Sequence, residues 1–480
     1  MSSDSQIVTI DELKSDQNGA IAVGPFGSRM KSDCYVATGI PVIRGKNITD
    51  GPKFEGEFVY ITESKAKELG SSNVFENDLI FPHRGSIGEV GIVPKSGRFV
   101  ISSSLMKISC DNNKVHPKFL YYFFKSNIGK HELLKNASQV GTPGIARPLY
   151  SLKNISLQLP NLIKQNKIAK ILTSFDDKIE LNRKLNQNLE QITQAIFKSW
   201  FVDFEPVKAK EHIRKLGGDS NQIERAAQAV IAGAVNLENI ISNSNLANLH
   251  KTIKTKLETK SGCQTKEQQS KLADTAKHFP DKFVESELGL VPEGWKISTV
   301  GDEFVLIMGQ SPPGNTYNEN KVGIPFFQGR RDFGWRYPTA RVYCSKPKKF
   351  ASIGDTLLSV RAPVGDINIA ASNCCIGRGL AAIRHKSNCE MFTYHSIMNL
   401  KRQFKNFDSE GTVFGSISQK TLKTLKVVKP SISMVKNFTA RLISSEKQIH
   451  NLEKQSHSLK KIRTILLPKL ISGEITLEKD

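Results

Sequence analysis

The chain repeats itself once, and this constrains its fold more than any other feature. Pro160 opens the string PNLIKQNKIAKI, and Pro430 opens PSISMVKNFTARL 270 positions later. The same offset pairs Leu189 with Leu459, Ile192 with Ile462, Ile196 with Leu466 and Trp200 with Leu470. Upstream the match continues with slips. GIPVIRG from Gly39 matches GIPFFQG from Gly323 at an offset of 284. Asp78, Arg84, Gly88 and Ile92 match Asp355, Arg361, Gly365 and Ile369 at 277, and Gly144 matches Gly415 at 271. Loop insertions between fixed elements produce such slips. A period this long marks a duplicated domain, because solenoid repeats run about 20–50 residues. Two similar units on one chain suit a target with two half-sites.

Each copy has two parts. The first, residues 1–160 and again 286–430, is rich in short apolar runs broken by Gly, Pro, Asn and Asp, the pattern of strands and turns. FLYYFFKSN near Phe119 and MFTYHSIMN near Met391 have helical spacing. The sum is an α+β domain. The second part, residues 161–205 and 431–480, is helical. Ile168, Ile171 and Phe175 step by three and four, as do Leu185, Leu189, Ile192 and Ile196. Val435, Phe438, Leu442, Ile449, Leu452, Leu459, Ile462 and Leu466 keep steps of three, four or seven. This is coiled-coil spacing, and each apolar seam needs a partner. The expected fold class is α+β: two similar globular domains separated by two long helices packed as an antiparallel, pseudo-twofold coiled coil. Residues 206–285 have no second copy and read as a connector, helical in part.

Charge narrows the function. The 480 residues carry a formal net charge of +22, the electrostatic footprint of a polyanion-binding protein. No apolar run approaches the roughly 18–20 residues of a membrane span, and the start, MSSDSQ, lacks a signal pattern. Seven cysteines without CxxC spacing argue against zinc and against a disulfide framework. A cytoplasmic, reduced protein is expected. The phosphate-loop, HExxH and GxSxG strings are absent, so an enzyme reading has no constellation to rest on.

Candidate binding residues sit in turns. Arg84 with Ser86 in PHRGSIG, and Arg361 in SVRAPVG, occupy the same point of both copies. A guanidinium there can make a bidentate contact with guanine or phosphate; its bland alternative is a bond to its own loop carbonyls. GPFGSRMKSD places Ser28, Arg29 and Lys31 on a Gly-rich turn, while its counterpart from Gly309 is nearly uncharged. Arg44 and Lys46 follow the strand-like GIPVI. Between Phe326 and Phe350 lie seven Lys or Arg, seven aromatics and one acid. Arg330, Arg331, Arg336 and Arg341 there are candidate DNA contacts, whereas Phe326 and Phe327 read as core. Thr142 and Thr412 lie in Gly-rich strings that precede each long helix; such strings are either DNA-facing loops or hinges.

Three motifs complete the picture: KSWFVDFEPVKAK from Lys198, FPDKFVESELGLVPEGW from Phe279, and KLISGEI from Lys469. With the duplication, they make the chain resemble the specificity subunit of Type I restriction–modification systems over almost its whole length. The resemblance implies two target recognition domains, each reading one half of a split DNA site in the major groove, on a helix pair that sets the gap. It implies double-stranded DNA, two methyltransferase subunits and restriction subunits as partners, no membrane, and no catalysis on this chain. S-adenosylmethionine, ATP and Mg belong to the partner subunits, which methylate adenine. The connector is long and Ala-rich against the family pattern. The competing readings are a coiled-coil interaction scaffold whose charge is incidental, and a fused restriction–methylation enzyme, which the missing methyltransferase strings disfavour.

Overall fold

The computed structural model describes residues 5–138, 143–261, 265–287, 289–404, 415–475 and 477, without the side chains of residues 5, 27, 28 and 261. It contains two units. Unit one is Met1–Asn186 with His450–Asp480, and unit two is Gln187–Ile449.

The α+β domains of the two units have the same sheet topology. In unit one, Ile21–Val23, Leu105–Ile108, Leu79–Pro82 and Gly91–Ile92 form a four-stranded sheet in that order. Tyr35–Val36, Val59–Ile61, Ile40–Ile43, Arg98–Ile101 and Asn73–Phe75 form a five-stranded one. Unit two repeats both: Phe304–Met308, Leu380–His385, Thr356–Ser359 and Ile367–Ile369, then Tyr317–Asn318, Tyr343–Cys344, Ile324–Phe327, Cys374–Ile376 and Phe350–Ala351. Even the one parallel pairing recurs, Val42 beside Val100 and Phe326 beside Cys375. The repeated glycines explain the shared string. A Cβ on Gly39 would lie 2.3 Å from the Ile61 carbonyl, and one on Gly323 would lie 2.1 Å from that of Cys344, both at positive φ. A further antiparallel pair ties the start of each domain to its exit into a long helix: Ser5–Thr9 with Ser156–Pro160, and Lys296–Thr299 with Lys426–Lys429.

The long helices span Leu162–Phe201 and Ile432–Ile471. Each starts 270 positions from the other behind a side-chain cap, Asn161 accepting from the Lys164 amide and Ser431 from that of Met434. They run antiparallel within each unit. In unit one Asp176 meets Arg463, Asn182 meets Gln455 and Asn186 meets Glu453. In unit two Phe197 packs on Phe438, while Glu190 and Glu446 share one arginine. The seam differs from the expected apolar stripe. Asn182, Asn186 and Thr193 are buried, Leu185 and Leu189 are half-buried, and Ile192 and Ile462 face solvent. Amides that bond across the pair can occupy a buried seam, and such polar positions fix register.

The connector is a folded helical region. Its helices Glu205–Lys215, Ser220–Ile231, Leu237–Ile241, Leu246–Ser261 and Lys266–Lys277 enclose their own core of Ala209, Ile213, Ala226, Ala229, Ile240, Leu249 and Ile253. Lys210 and Arg214 at its start bond the Phe279 and Asp281 carbonyls at its end.

In unit two the domain core is continuous with the helix ends. Phe197, Trp200 and Phe201 meet Phe438, Phe392 and the ring of His395. Burial holds His395 neutral, its pKa down at about 3, with the nearby Arg336 adding to the effect. Between pH 6.5 and 3 the unfolded chain therefore binds a proton that the folded chain refuses. Stability is lost as pH falls below 6.5. At pH 5 this amounts to about 2 kcal/mol. His395→Phe is expected to flatten the acid side of the stability profile, read as denaturant midpoints at pH 7.5 and 5; an unchanged slope would assign the acid sensitivity to other groups.

Candidate nucleic-acid interface

In each unit, four loop segments converge on one turn, which links the five-stranded sheet to the four-stranded one. In unit one the turn is Ser102–Leu105. The Gly24 amide donates to the Leu105 carbonyl, the Ser102 amide to that of Ile43, and the His83 amide to that of Ser104. The fourth segment joins through the Arg84 turn: the Gly85 amide bonds Pro143, and the Ile145 amide bonds His83. In unit two the turn is Gly377–Leu380. Gly309 donates to Leu380, Gly377 to Phe327, Val360 to Gly379 and Ile417 to Val360. The bridges Arg84–Gly144 and Arg361–Ser416 recur at the same place. Thus each arginine turn lies against the described part of the Gly-rich string before its helix, residues 143–145 in unit one and 416–417 in unit two.

The site carries different chemistry in the two units. In unit one Arg29, Lys31, Lys46, Arg84 and Ser86 are exposed, and Arg44 is half-buried. Arg29 donates to the Glu68 carbonyl at 3.2 Å, and Arg44 to that of Glu57 at 3.0 Å. At the tip of the turn Ser103 is exposed. Burial pushes the His83 imidazole below its usual range, so at neutral pH it is uncharged; its Nε2 lies 3.0 Å from the Ser103 carbonyl, to which it donates. In unit two Arg330, Arg331, Arg341 and Arg361 are exposed. Arg330 pairs with Asp366 at 2.9 Å, and Arg341 lies 3.4 Å from Asp332. The tip that corresponds to the three serines reads Gly377-Arg378-Gly379, and Arg378 is exposed with its amide on Ser311 Oγ. Sequence reasoning did not single out Arg378 or Ser103. Their signal was present as a Gly-Arg-Gly tip and a triple serine between strands. The Ser28 side chain and all of Thr142 and Thr412 lie outside the described residues.

One expected contact is corrected. Arg336 is 1% exposed, with Nη2 2.8 Å from Glu190 and 2.9 Å from Glu446 and its guanidinium 4.2 Å over the Tyr394 ring. A cation held this way is not offered to a ligand at the surface. Burial pushes the Glu446 carboxyl up to about 7, against the pull of Arg336.

Among the described residues no group of three or more His, Cys, Asp or Glu could hold a metal ion, and no helix is long and apolar enough to cross a membrane. Two similar domains that carry basic loops around matched turns define a duplicated-domain protein. The chain belongs to the family described as the Type I restriction modification DNA specificity domain, whose profile matches residues 27–191 and 292–456. The Type I restriction enzyme HindI specificity subunit of Haemophilus influenzae is 28% identical over 454 residues, covering 89% of this chain and 94% of that one. A Methanocaldococcus jannaschii chain provisionally named the type I restriction enzyme MjaX specificity subunit is 29% identical, covering 92% and 88%. The crystal structure of a Type I restriction-modification S subunit from M. genitalium shares the fold, with a TM-score of 0.52 at 16% identity over 98% of this chain and 97% of that one. Each matched stretch runs into a long helix, and residues 192–291, which include the helical connector, lie between the matches.

Proposed function

We propose that this chain is the DNA-reading subunit of a Type I restriction–modification complex. It reads a bipartite, gapped site, one half with each domain, and carries no reaction itself. The observation that carries this reading is the duplicated loop platform with unlike tips, serines in unit one and Gly-Arg-Gly in unit two. Lys and Arg in the loops neutralise phosphate and release counterions, so binding weakens with salt. Arg84, Arg361 and Arg378 discriminate base edges. Arg29, Lys31, Arg44, Lys46, Ser86, Arg330, Arg331 and Arg341 position the backbone, and Ser28, Thr142 and Thr412 complete the set. The helix pair sets the gap.

Two methyltransferase subunits dock on the helices and methylate adenine with S-adenosylmethionine, and restriction subunits add the ATP- and Mg-dependent steps. The exposed Ile192 in unit two and Ile462 in unit one stand at the same point of the repeat, as two equal docking sites require. The complex works in the cytoplasm.

Arg361→Ala and Arg378→Ala are each expected to cost about 1–3 kcal/mol at the second half-site and nothing at the first. Arg84→Ala should do the reverse. Mapping methyladenine in host DNA with the gene intact, mutated and deleted checks this. A gapped motif that disappears on deletion supports the reading. Loss of both halves from one substitution would end the claim of independent domains.

A further inference from the structure

Resting on that reading, we propose that Arg336 is a positioning residue that fixes the angle of the second recognition domain on the helix pair, and with it the gap at which the second half-site is read. In unit two the domain core is continuous with the helix ends, and two contacts within that attachment bear on its angle. The first is the aromatic cluster, where Phe392 and His395 meet Phe197, Phe201 and Phe438. Apolar contact of this kind is non-directional, so a directional polar contact beside it adds to what holds the angle.

The second point is Arg336, which joins the domain to Glu190 on one helix and Glu446 on the other. Glu190 lies seven residues from Phe197, about 10 Å along a helix at 1.5 Å per residue. Its carboxylate is itself held, Gln194 donating to it at 2.6 Å. The Arg336 carbonyl accepts from the Ile369 amide, so the arginine is part of the domain's framework. The Glu446 contact is a charge-assisted hydrogen bond, short and directional, while Glu190 contributes an ion pair at 2.8 Å. Beside this clamp a pocket of about 360 Å³, open to solvent, is lined by Glu190, Gln194, Trp335, Asn368 and Tyr394.

Unit one carries the same device built from other residues. Tyr122 donates to Asp176 at 2.6 Å, and Arg463 joins Asp176 to Asp50 of the first domain. A cavity of about 220 Å³ adjoins it, lined by Asp50, Tyr122 and Arg463. Asp176 and Glu446 are 270 positions apart, and Tyr122 and Tyr394 are 272 apart. The positions recur while the cation has changed sides. Such a recurrence is expected of a required geometry and not of an incidental ion pair.

The test uses the full chain in complex with a Type I methyltransferase subunit, acting on a DNA pool in which both half-sites are held and the gap is varied base pair by base pair. Wild type should act at one gap. Arg336→Lys and Glu446→Gln should keep both half-site sequences but accept neighbouring gaps, with gap discrimination falling roughly tenfold, the worth of one hydrogen bond to a charged group. Glu446→Gln keeps an oxygen acceptor and serves if Arg336→Lys fails to fold. If folded variants hold the wild-type gap as sharply as before, Arg336 is structural only and the proposal fails. It fails equally if they lose second half-site selectivity at every gap. A wild-type complex with no bipartite preference would overturn the functional reading itself, and the proposal with it.

Discussion

Arg336→Met is expected to lower the unfolding free energy of the chain by about 3–5 kcal/mol, the cost of leaving buried charge without its partner. The guanidinium is 1% exposed, and Glu190 and Glu446 are 13% and 10% exposed at the side chain. Removing the cation leaves two acids facing each other out of water. Denaturant unfolding of the full chain measures the loss. The triple variant Arg336→Met, Glu190→Leu, Glu446→Leu is expected to recover most of it, because a buried ion cluster replaced whole by apolar groups is often neutral. If the single variant costs less than about 1 kcal/mol, the range of a solvent-screened surface pair, the burial described here is wrong.

Phe438→Ala is expected to cost about as much, roughly 3–5 kcal/mol, through lost burial and the cavity left behind. The Phe438 ring lies 5.2 Å from that of Phe201, 5.7 Å from Phe197 and 5.8 Å from Trp200. These contacts join the second helix to the first and to the domain core, so one truncation empties the middle of a cluster. Ile443→Ala is the control: Ile443 is on the same helix but 49% exposed, and its loss should stay within about 0.5 kcal/mol. Equal effects from the two substitutions would contradict the assignment of the buried face.

Duplication made the architecture legible before any coordinates. Slipped offsets located the loops, and strings such as GIPVIRG and GIPFFQG located strands whose glycines admit a neighbouring carbonyl. The paired Arg84 and Arg361 turns were visible because repetition picked them out of 68 basic residues. Their meeting with the Gly-rich strings before the helices was not visible, since a bridge such as Arg361–Ser416 is a property of topology. The helix seam misled for a chemical reason. Periodicity was sought among apolar residues, and Asn182 and Asn186 are buried because amides and carboxylates across the pair receive them. Arg336 misled for a related one: its carboxylates are 146 and 110 positions away in the chain, and nothing local marks an arginine as buried. The connector's core was hidden in alanines, whose small size lets helices approach closely but gives no apolar signal of its own.

The change of side by the clamp's cation bears on how such a chain can diversify by recombination. In unit one the arginine belongs to the helix, and the domain supplies the Tyr122 hydroxyl and the acid Asp50, which is 75% exposed. A foreign first domain that lacks this acid would leave a helix cation still paired with Asp176. In unit two the arginine travels with the domain, and the acids stay behind on the helices. A foreign second domain without it would inherit two buried carboxylates and no counter-charge. Gene exchange can therefore replace the first domain from a wide pool of donors, while the second is open only to donors that bring their own cation.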